Sequence, residues 1–277
     1  METVSNIIPY FKQQLSRIAD EREITSWAYM MIENLFGYNR SDCIINSEKE
    51  LNLVLAERIK RIVSDLRANK PLQYILGETE FYGLKFKVNQ HTLIPRPETE
   101  ELITWILKEE FSSALDIGTG SGCTSIVLAK NTRAQISAID ISENALKVAK
   151  HNAKENSVDV NFIKQDILVA INLQKVDLIV SNPPYVLEIE KQNMKANVLQ
   201  YEPHLALFVP DNDPLLFYNK IGNLATESLN FGGKLFFEIN ERYGTEISKM
   251  LSNIGFVDIE LKKDINEKDR MIKAIWK

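Results

Sequence analysis

The sequence is poor in the residues that build disulfide frameworks and metal centres. Among its 277 residues are only two cysteines, Cys43 and Cys123, and three histidines. Two cysteines this far apart argue against a disulfide framework, and neither they nor the histidines have metal-ligand spacing. We therefore expect no metal site and a reducing compartment, which favours a cytoplasmic location.

The sequence also lacks long apolar runs and an excess of positive charge. No run approaches the ~20 apolar residues that span a membrane, and the first residues do not have the pattern of a signal peptide. The formal net charge is -5, whereas strong nucleic-acid binders have a basic footprint. We expect a globular protein of one large or two modest domains, without membrane association or stable nucleic-acid binding.

Residues 1–70 have a helical pattern. The clearest helix is predicted to begin at Ser47, because Ser47 and Glu50 have capping-box spacing, and to end before Pro71. One face of this helix is apolar and must pack against other helices: Leu51, Val54, Leu55, Ile59, Ile62, Val63 and Leu66. The pattern predicts a small helical bundle without catalytic groups, either a structural appendage or a docking domain for a partner.

Residues 71–97 do not have the helical sequence pattern of residues 1–70. Alternating side chains and an internal glycine in residues 81–88 predict a β-hairpin. Pro95 and Pro97 then set a rigid entry into a helix that starts near Glu98, so we predict a domain boundary here. Three interpretations are open for Arg96, which lies between the two prolines: a solvated charge in a linker, a buried ion pair or a contact with a cofactor.

From residue 98 onward, strands and helices alternate as in a doubly wound α/β domain. Strands are predicted at residues 113–117, 134–139, 160–164 and 176–180, and Ser142 is predicted to cap a helix. Asp213 and Pro214 are typical of a helix start. They precede a strand at residues 234–239 and two final strands at 256–261 and 271–276.

The first of these strands opens into a glycine-rich turn, residues 118–122. Glycine permits positive φ and a close approach of the backbone to a ligand, but the spacing matches neither a Walker loop nor a dinucleotide site. Asp140 closes the next strand about 20 residues later, where a carboxylate can accept ribose hydroxyls. Asp166 follows the third strand and is placed for an adenine edge.

The fourth strand ends in Asn182-Pro183-Pro184-Tyr185. Proline cannot donate to a sheet and holds the preceding residue extended, so this stretch presents acceptors on a stiff backbone. The acceptors are the side-chain oxygen of Asn182 and the carbonyl of Pro183, with the ring of Tyr185 beside them. A planar NH2 group, with two divergent N–H bonds, fits such a site.

These motifs together resemble a known enzyme class. Asp-x-Gly-x-Gly-x-Gly at 116–122, the acid at 140 and Asn-Pro-Pro-Tyr at 182–185 resemble class I methyltransferases that use S-adenosylmethionine on planar NH2 nitrogens. Further stretches narrow the resemblance to the HemK family, protein-glutamine N5-methyltransferases of peptide chain release factors. They are the helical N-terminal part, Gln-Tyr-Ile-Leu-Gly at 73–77, Glu-Phe-Tyr-Gly at 80–83, Ile-Pro-Arg-Pro-Glu-Thr-Glu at 94–100 and Glu-Pro at 202–203.

The resemblance implies a fold, a methyl donor and site residues. We expect an α/β class I, Rossmann-like domain with a seven-stranded sheet that closes with an antiparallel pair. It would span residues 98–277, after a helical substrate-recognition domain (1–70) and a hairpin linker (71–97). S-adenosyl-L-methionine would be bound by Gly118, Thr119, Gly120, Ser121, Gly122, Asp140, Asp166, Ile167 and Asn182. The implied catalytic residues are Asn182, Pro183 and Tyr185, and the implied substrate-binding residues are Asn182, Pro183, Pro184 and Tyr185.

The chain departs from the family pattern at three positions outside the reacting centre. Glu98 stands where the family usually has aspartate, and Asn240 replaces a common glycine. Ile167 follows Asp166 where an aromatic residue is often found, which changes the expected adenine wall.

Other functions remain open at this point. One is methylation of a glutamine in a ribosomal protein, and another is methylation of the exocyclic amine of adenine or guanine in nucleic acid, which the negative net charge disfavours. The third is a protein that binds the methyl donor, or acts as a scaffold, without catalysis. The intact Asn-Pro-Pro-Tyr stretch disfavours this last alternative.

Overall fold

The computed structural model describes residues 2–169 and 173–277. Met1 of the predicted first domain and residues 170–172 of the predicted third lie outside this range. The chain divides into two compact units, Met1–Gly77 with Lys195–Tyr201, and Glu78–Met194 with Glu202–Lys277. Among the described residues, no helix is both long enough and apolar enough to cross a membrane.

The elements follow one another in the order of the chain. The helices are α1 (Ile7–Leu15), α2 (Glu21–Phe36), α3 (Arg40–Ile45), α4 (Leu53–Arg67), α5 (Leu72–Leu76), α6 (Pro97–Ile106), α7 (Cys123–Asn131), α8 (Glu143–Glu155), α9 (Ala196–Tyr201), α10 (Leu216–Ser228) and α11 (Gly244–Ile254). The strands are β1 (Glu78–Phe81), β2 (Leu84–Lys87), β3 (Ser113–Ile117), β4 (Gln135–Asp140), β5 (Asn161–Lys164), β6 (Val176–Ser181), β7 (Val186–Leu187), β8 (Phe208–Val209), β9 (Leu229–Glu238), β10 (Val257–Lys263) and β11 (Asp269–Ile275).

The first unit is helical, as the sequence predicts. Its helices bury one apolar core that includes Phe11 of α1, Met31 of α2 and Ile59 of α4. The start of α2 shows why a helix forms there: the Asp20 carboxylate accepts hydrogen bonds from two backbone N–H groups of the first turn, which would otherwise lack partners.

The start of α4 corrects the prediction from the sequence. The helix begins at Leu53 and is capped by Asn52, whose side-chain oxygen accepts from a backbone N–H at 2.9 Å, so the predicted start at Ser47 is wrong. Residues 47–51 instead pair with the N-terminal segment. The N–H groups of residues 5 and 4 donate to the carbonyls of residues 47 and 49, and Leu51 donates to the carbonyl of Glu2 at 2.7 Å. These backbone hydrogen bonds use the groups that a helix start would need.

The second unit contains a seven-stranded sheet in the order β10-β11-β9-β6-β3-β4-β5. Strands β5, β4, β3, β6 and β9 are parallel neighbours, and β11 lies antiparallel to both β9 and β10. This topology confirms the predicted Rossmann-like domain with an antiparallel closing pair. Because these five strands are parallel, their carboxyl ends lie at one edge of the sheet.

Helices cover both faces of the sheet, so the central strands are buried. One core contains Leu178 and Val180 of β6 with side chains of α6 and α7, and the other contains Ile179 of β6 with side chains of α10 and α11. Successive side chains of a strand point to opposite faces. A shift of β6 by one residue would therefore exchange the contents of the two cores.

The structure tests two further predictions, the hairpin in residues 81–88 and the helix start at Asp213. The hairpin β1–β2 is confirmed, with Tyr82 (φ 52°) and Gly83 (φ 70°) as its two turn residues; positive φ at both matches a type I′ turn. The helix predicted at Asp213 begins at Leu216 instead. Residues 210–213 form a turn in which the N–H of Asp213 donates to the carbonyl of residue 210 at 3.0 Å.

Gly122 illustrates how closely the start of α7 packs against α8. This residue caps α7 with φ of 82°, and a Cβ atom on it would lie 2.9 Å from Ile126 Cδ1 and 3.0 Å from Ala149 Cβ. At these distances the end of the Ile126 side chain would have to shift, and either the turn or α8 would have to move by a few tenths of an ångström. The glycine is required by both backbone conformation and packing.

We expect Gly122→Ala to lower the free energy of unfolding by more than Gly232→Ala does. Both glycines have positive φ, at 82° and 78°, but a Cβ on Gly232 meets no atom within 4 Å. The control therefore reports the conformational cost alone, about 1–2 kcal/mol, and crowding at Gly122 adds about 1–3 kcal/mol. Urea unfolding of the two variants measures the difference; equal losses would contradict the packing at Gly122.

Candidate active site

Four loops that follow parallel strands meet at the carboxyl edge of the sheet. The glycine turn follows β3, Asp140 ends β4, Asp166 follows β5 and Asn182 follows β6. Since these strands are neighbours in the sheet, segments that lie far apart in the sequence come together here. Ligands of open α/β sheets bind at this edge.

A cavity of about 250 Å³ lies at this edge and is lined by eight of the residues predicted from the sequence. They are Gly118, Gly120, Asp140, Asp166, Ile167, Asn182, Pro183 and Pro184. The other four predicted site residues do not line it: Thr119, Ser121, Gly122 and Tyr185. Sequence reasoning missed the lining from residues 90–93 and from Pro203, Leu205, Ala206, Phe217 and Ile221, because nothing in these apolar and loop residues marks them as a site.

The glycine turn leaves its backbone open to the cavity. The N–H groups of Gly118 and Thr119 both donate to the carbonyl of Ile139, at 2.9 and 3.1 Å, which ties the turn to the end of β4. A Cβ on Gly118 or Gly120 would meet no atom within 4 Å. Both residues line the cavity, so their missing side chains leave space for a ligand.

Thr119 supports the turn from inside the protein. Its hydroxyl donates to Asp116 Oδ2 at 2.6 Å, and the backbone N–H of Ser125 donates to the same oxygen at 3.2 Å. Burial raises the pKa of Asp116 to about 6, although these hydrogen bonds oppose the rise. Asp116 is thus a positioning group for the turn that the sequence reasoning did not assign to the site.

Asp140 links the glycine turn to the start of α8. Its Oδ2 accepts from the N–H of Gly120 at 2.8 Å, and its Oδ1 accepts from the N–H of Ser142 at 2.8 Å. Burial raises the pKa of Asp140, and these backbone hydrogen bonds oppose the rise. A carboxylate oxygen can accept more than one hydrogen bond, so Asp140 keeps capacity for ligand hydroxyls.

Part of the cavity lining combines aliphatic side chains with one carboxylate. Ile141 and Ile167 line the cavity together with Asp166. The Asp166 carboxylate accepts from the backbone N–H of Leu168 at 2.8 Å, which holds the loop after β5. Aliphatic side chains and a carboxylate acceptor suit a flat heterocycle with an exocyclic amine.

The Asn-Pro-Pro-Tyr segment is held at both ends. The Ser181 hydroxyl donates to the carbonyl of Ile117 at 2.7 Å, and Asn240 Nδ2 donates to the carbonyl of Tyr185 at 3.2 Å. Asn240 is the residue at which the chain departs from the family glycine, and this side chain gives the segment an additional contact. The acceptors of the segment are therefore held in a defined position.

Tyr185 is not among the residues that line the cavity. Its hydroxyl donates to Glu238 Oε1 at 3.1 Å, and burial together with the Glu238 charge raises the pKa of Tyr185. Burial also raises the pKa of Glu238, against the hydrogen bonds that Thr99 and Tyr185 donate to it. Glu238 is a further residue that the sequence analysis missed, although a carboxylate at the end of an apolar strand is a signal of a special role.

Arg96 forms an ion pair with a buried carboxylate, which is one of the three interpretations that the sequence allows. Its Nη2 lies 2.6 Å from Glu202 Oε1, and the side chain of Glu202 is almost completely buried. The second carboxylate oxygen of Glu202 accepts from the N–H of Ile94 at 3.1 Å. This pairing joins the loop before α6 to Pro203, which lines the cavity.

Comparisons with solved structures support the fold alone. A methyltransferase from Pyrococcus furiosus aligns with a TM-score of 0.54 at 18% identity, over 79% of this chain and 96% of that protein. The 16S rRNA N2 G1207 methyltransferase of T. thermophilus, in complex with AdoMet and guanosine, aligns with a TM-score of 0.51 at 15% identity. That alignment covers 72% of this chain and 50% of the other protein. Both similarities agree with the methyltransferase fold.

Family models and full-length relatives give a narrower assignment. The "PrmC N-terminal domain" matches residues 7–77 and the "Methyltransferase small domain" matches residues 97–202. The release factor glutamine methyltransferase of Flavobacterium psychrophilum is 48% identical over 280 residues, which cover 98% of each chain. That of Bacteroides thetaiotaomicron is 43% identical over 276 residues, covering 98% of this chain and 99% of the relative. The chain therefore belongs to the HemK family of release factor glutamine methyltransferases.

Proposed function

We propose that this chain transfers the methyl group of S-adenosylmethionine to the side-chain amide nitrogen (N5) of the glutamine in the Gly-Gly-Gln motif of peptide chain release factors. One observation carries the proposal: a single cavity is lined by the glycine turn, by Asp140 and by the acceptors Asn182 and Pro183. The names of the two full-length relatives favour release factors over ribosomal proteins or nucleic acid. A translation factor as substrate also favours a cytoplasmic location.

The residues at the sheet edge fit S-adenosylmethionine. The open backbone at Gly118 and Gly120 would admit the amino-acid and ribose part, and Asp140 would accept from ribose hydroxyls. Ile141 and Ile167 would pack against the adenine ring, and Asp166 would accept from its amine. When bound, this cofactor supplies an electrophilic methyl group on a positively charged sulfur.

We expect Asp140→Ala to weaken S-adenosylmethionine binding by ~1.5–3 kcal/mol, the range for hydrogen bonds to a charged group. Titration calorimetry measures this loss. Asp159→Ala is the matched control, because Asp159 is exposed and does not line the cavity. Unchanged affinity in Asp140→Ala would show that the carboxylate does not bind the ribose.

The chemical task of the site is to make an amide nitrogen reactive. Its lone pair is delocalised into the carbonyl, the resonance that gives a peptide bond its ~18–20 kcal/mol rotation barrier. Asn182 Oδ1 and the Pro183 carbonyl accept the two N–H bonds, which directs the nitrogen lone pair and stabilises the positive charge that develops on nitrogen. Alignment lowers the barrier further by removing the entropic cost of encounter. The predicted contact of Tyr185 with the amide plane stays a prediction.

The test of this function is methylation of purified release factor by the purified enzyme. We expect mass spectrometry to find one added methyl group on the glutamine of the Gly-Gly-Gln motif. Asn182→Ala should lower kcat by about 10²–10³, as for the loss of one preorganised hydrogen-bonding group. A wild-type enzyme that modifies nucleic acid or a ribosomal protein, and leaves release factor unmodified, would refute the proposed substrate.

We further propose that residues 1–70 recognise the folded release factor. Every residue that lines the cavity belongs to the second unit, so the first unit is free for another role. Four of its aliphatic side chains are strongly exposed, with Ile44 and Ile45 at the end of α3 and Leu53 and Val54 at the start of α4. At 77–83% exposure, these side chains are suited to bury area against a partner.

Replacing Leu53 and Val54 together by serine should raise KM for full-length release factor by about 10-fold, a change of ~1.4 kcal/mol. The kcat/KM for a short Gly-Gly-Gln peptide should stay constant, because every residue that lines the cavity belongs to the second unit. Ile265→Ser is the control, since Ile265 is equally exposed in the second unit. Equal losses on protein and peptide would mean that the double variant acts through stability and not through docking.

A further inference from the structure

A chain of hydrogen bonds leads from Asn182 into the protein interior. Asn182 Nδ2 donates to Thr99 Oγ1 at 3.4 Å, and Thr99 Oγ1 donates to Glu238 Oε2 at 2.6 Å. The Tyr185 hydroxyl donates to the other oxygen of Glu238. Thr99 and Glu238 are 4% and 1% exposed, so water cannot take the place of either partner.

The direction of these hydrogen bonds follows from a count of hydrogen atoms. An ionised carboxylate only accepts, whereas a threonine hydroxyl has one hydrogen to donate. Thr99 gives this hydrogen to Glu238, so its oxygen can only accept from Asn182. The only donor in the Asn182 side chain is its NH2 group, which must therefore face Thr99.

Glu238 accepts hydrogen bonds from two hydroxyls. These hydrogen bonds and the positive charge of Arg270 oppose the rise in the pKa of Glu238 that burial and the nearby charge of Glu98 cause. Arg270 is itself held in place by an ion pair with Asp264, with Nε 3.2 Å from Oδ2. The carboxylate is thus a fixed acceptor at the inner end of the chain.

We propose that Thr99 and Glu238 are positioning residues that set the direction of the Asn182 carboxamide, so that the site presents an oxygen to its substrate. Neither residue lines the cavity; both act through Asn182. The inference rests on the proposed function, in which Asn182 Oδ1 accepts an N–H of the glutamine amide. With the carboxamide reversed, the NH2 group of Asn182 would face the NH2 group of the glutamine amide. The glutamine nitrogen would then lose one of its two acceptors.

This direction also determines specificity. An oxygen acceptor at Asn182 and the carbonyl of Pro183 favour a substrate with two N–H donors, which glutamine has and glutamate lacks. A glutamate carboxylate would bring a negative charge against two acceptors. The Thr99–Glu238 pair therefore helps the site to distinguish an amide from a carboxylate.

The test compares three single variants. Thr99→Val removes the hydroxyl at nearly constant volume, and we expect kcat on release factor to fall about 10- to 100-fold, as for a misplaced reacting group, with S-adenosylmethionine affinity close to wild type. The melting temperature should fall as well, because a buried oxygen of Glu238 loses its donor, so kcat is compared well below the melting temperature of each variant. Thr99→Ser keeps the hydroxyl and should restore most of kcat. Thr132→Val is the matched control: its hydroxyl donates to the carbonyl of Leu128 at 2.8 Å, away from the cavity, and kcat should not change. Wild-type kcat in Thr99→Val, or equal losses in Thr99→Val and Thr99→Ser, would overturn the inference.

A second measurement needs no methyl acceptor. In protein with ¹⁵N-labelled asparagine, the side-chain NH2 signal of Asn182 is assigned by its absence from Asn182→Ala. We expect slow exchange of its protons with solvent in the wild type and faster exchange in Thr99→Val; equal rates would overturn the inference. If the wild type does not methylate release factor, the proposed function fails, and the exchange rates still decide whether Thr99 holds the carboxamide.

Discussion

The burial of β6 in the middle of the sheet is the constraint on which the site depends. Ser181, its last residue, pairs with Ile117 of β3 and with Phe237 of β9. The residues that follow these three in the sequence therefore lie at the same level along the strand direction: Asn182, Gly118 and Glu238. Because both faces of β6 are buried, its register cannot slip without exchanging the contents of two cores. The packing of β6 thus places the Asn-Pro-Pro-Tyr segment between the glycine turn on one side and the buried carboxylate of Glu238 on the other.

The acceptors of the Asn-Pro-Pro-Tyr segment depend on one local feature and one long-range contact. Pro183 and Pro184 lack N–H groups, so the backbone offers carbonyls without competing donors, and this property is local to the sequence. The direction of the Asn182 side chain depends on Thr99 and Glu238, which come from α6 and β9. An uncharged acceptor pair is suited to an amide, since it orients two N–H bonds and does not need to remove a proton before the nitrogen reacts.

Much of the fold could be predicted because its signals are local. The strands β3 to β6, the glycine turn, Asp140 at the end of β4 and the cap at Ser142, whose hydroxyl accepts from the N–H of Ala145 at 3.2 Å, all follow from short patterns. The start of α4 could not be predicted, because Ser47 is a good local cap and only pairing with the N-terminal segment excludes it. The Thr99–Glu238 contact joins residues 139 positions apart. Such a contact depends on strand order, which a single sequence does not display.

In the proposed mechanism, the glutamine nitrogen is held by two acceptors, Asn182 Oδ1 and the Pro183 carbonyl. The most direct measurement is a crystal structure of the protein with a Gly-Gly-Gln peptide and the demethylated donor. We expect the glutamine amide nitrogen to lie about 2.7–3.2 Å from both oxygens, with Asn182 Nδ2 toward Thr99. A nitrogen placed against Asn182 Nδ2, or beyond hydrogen-bond distance of both oxygens, would contradict this mechanism.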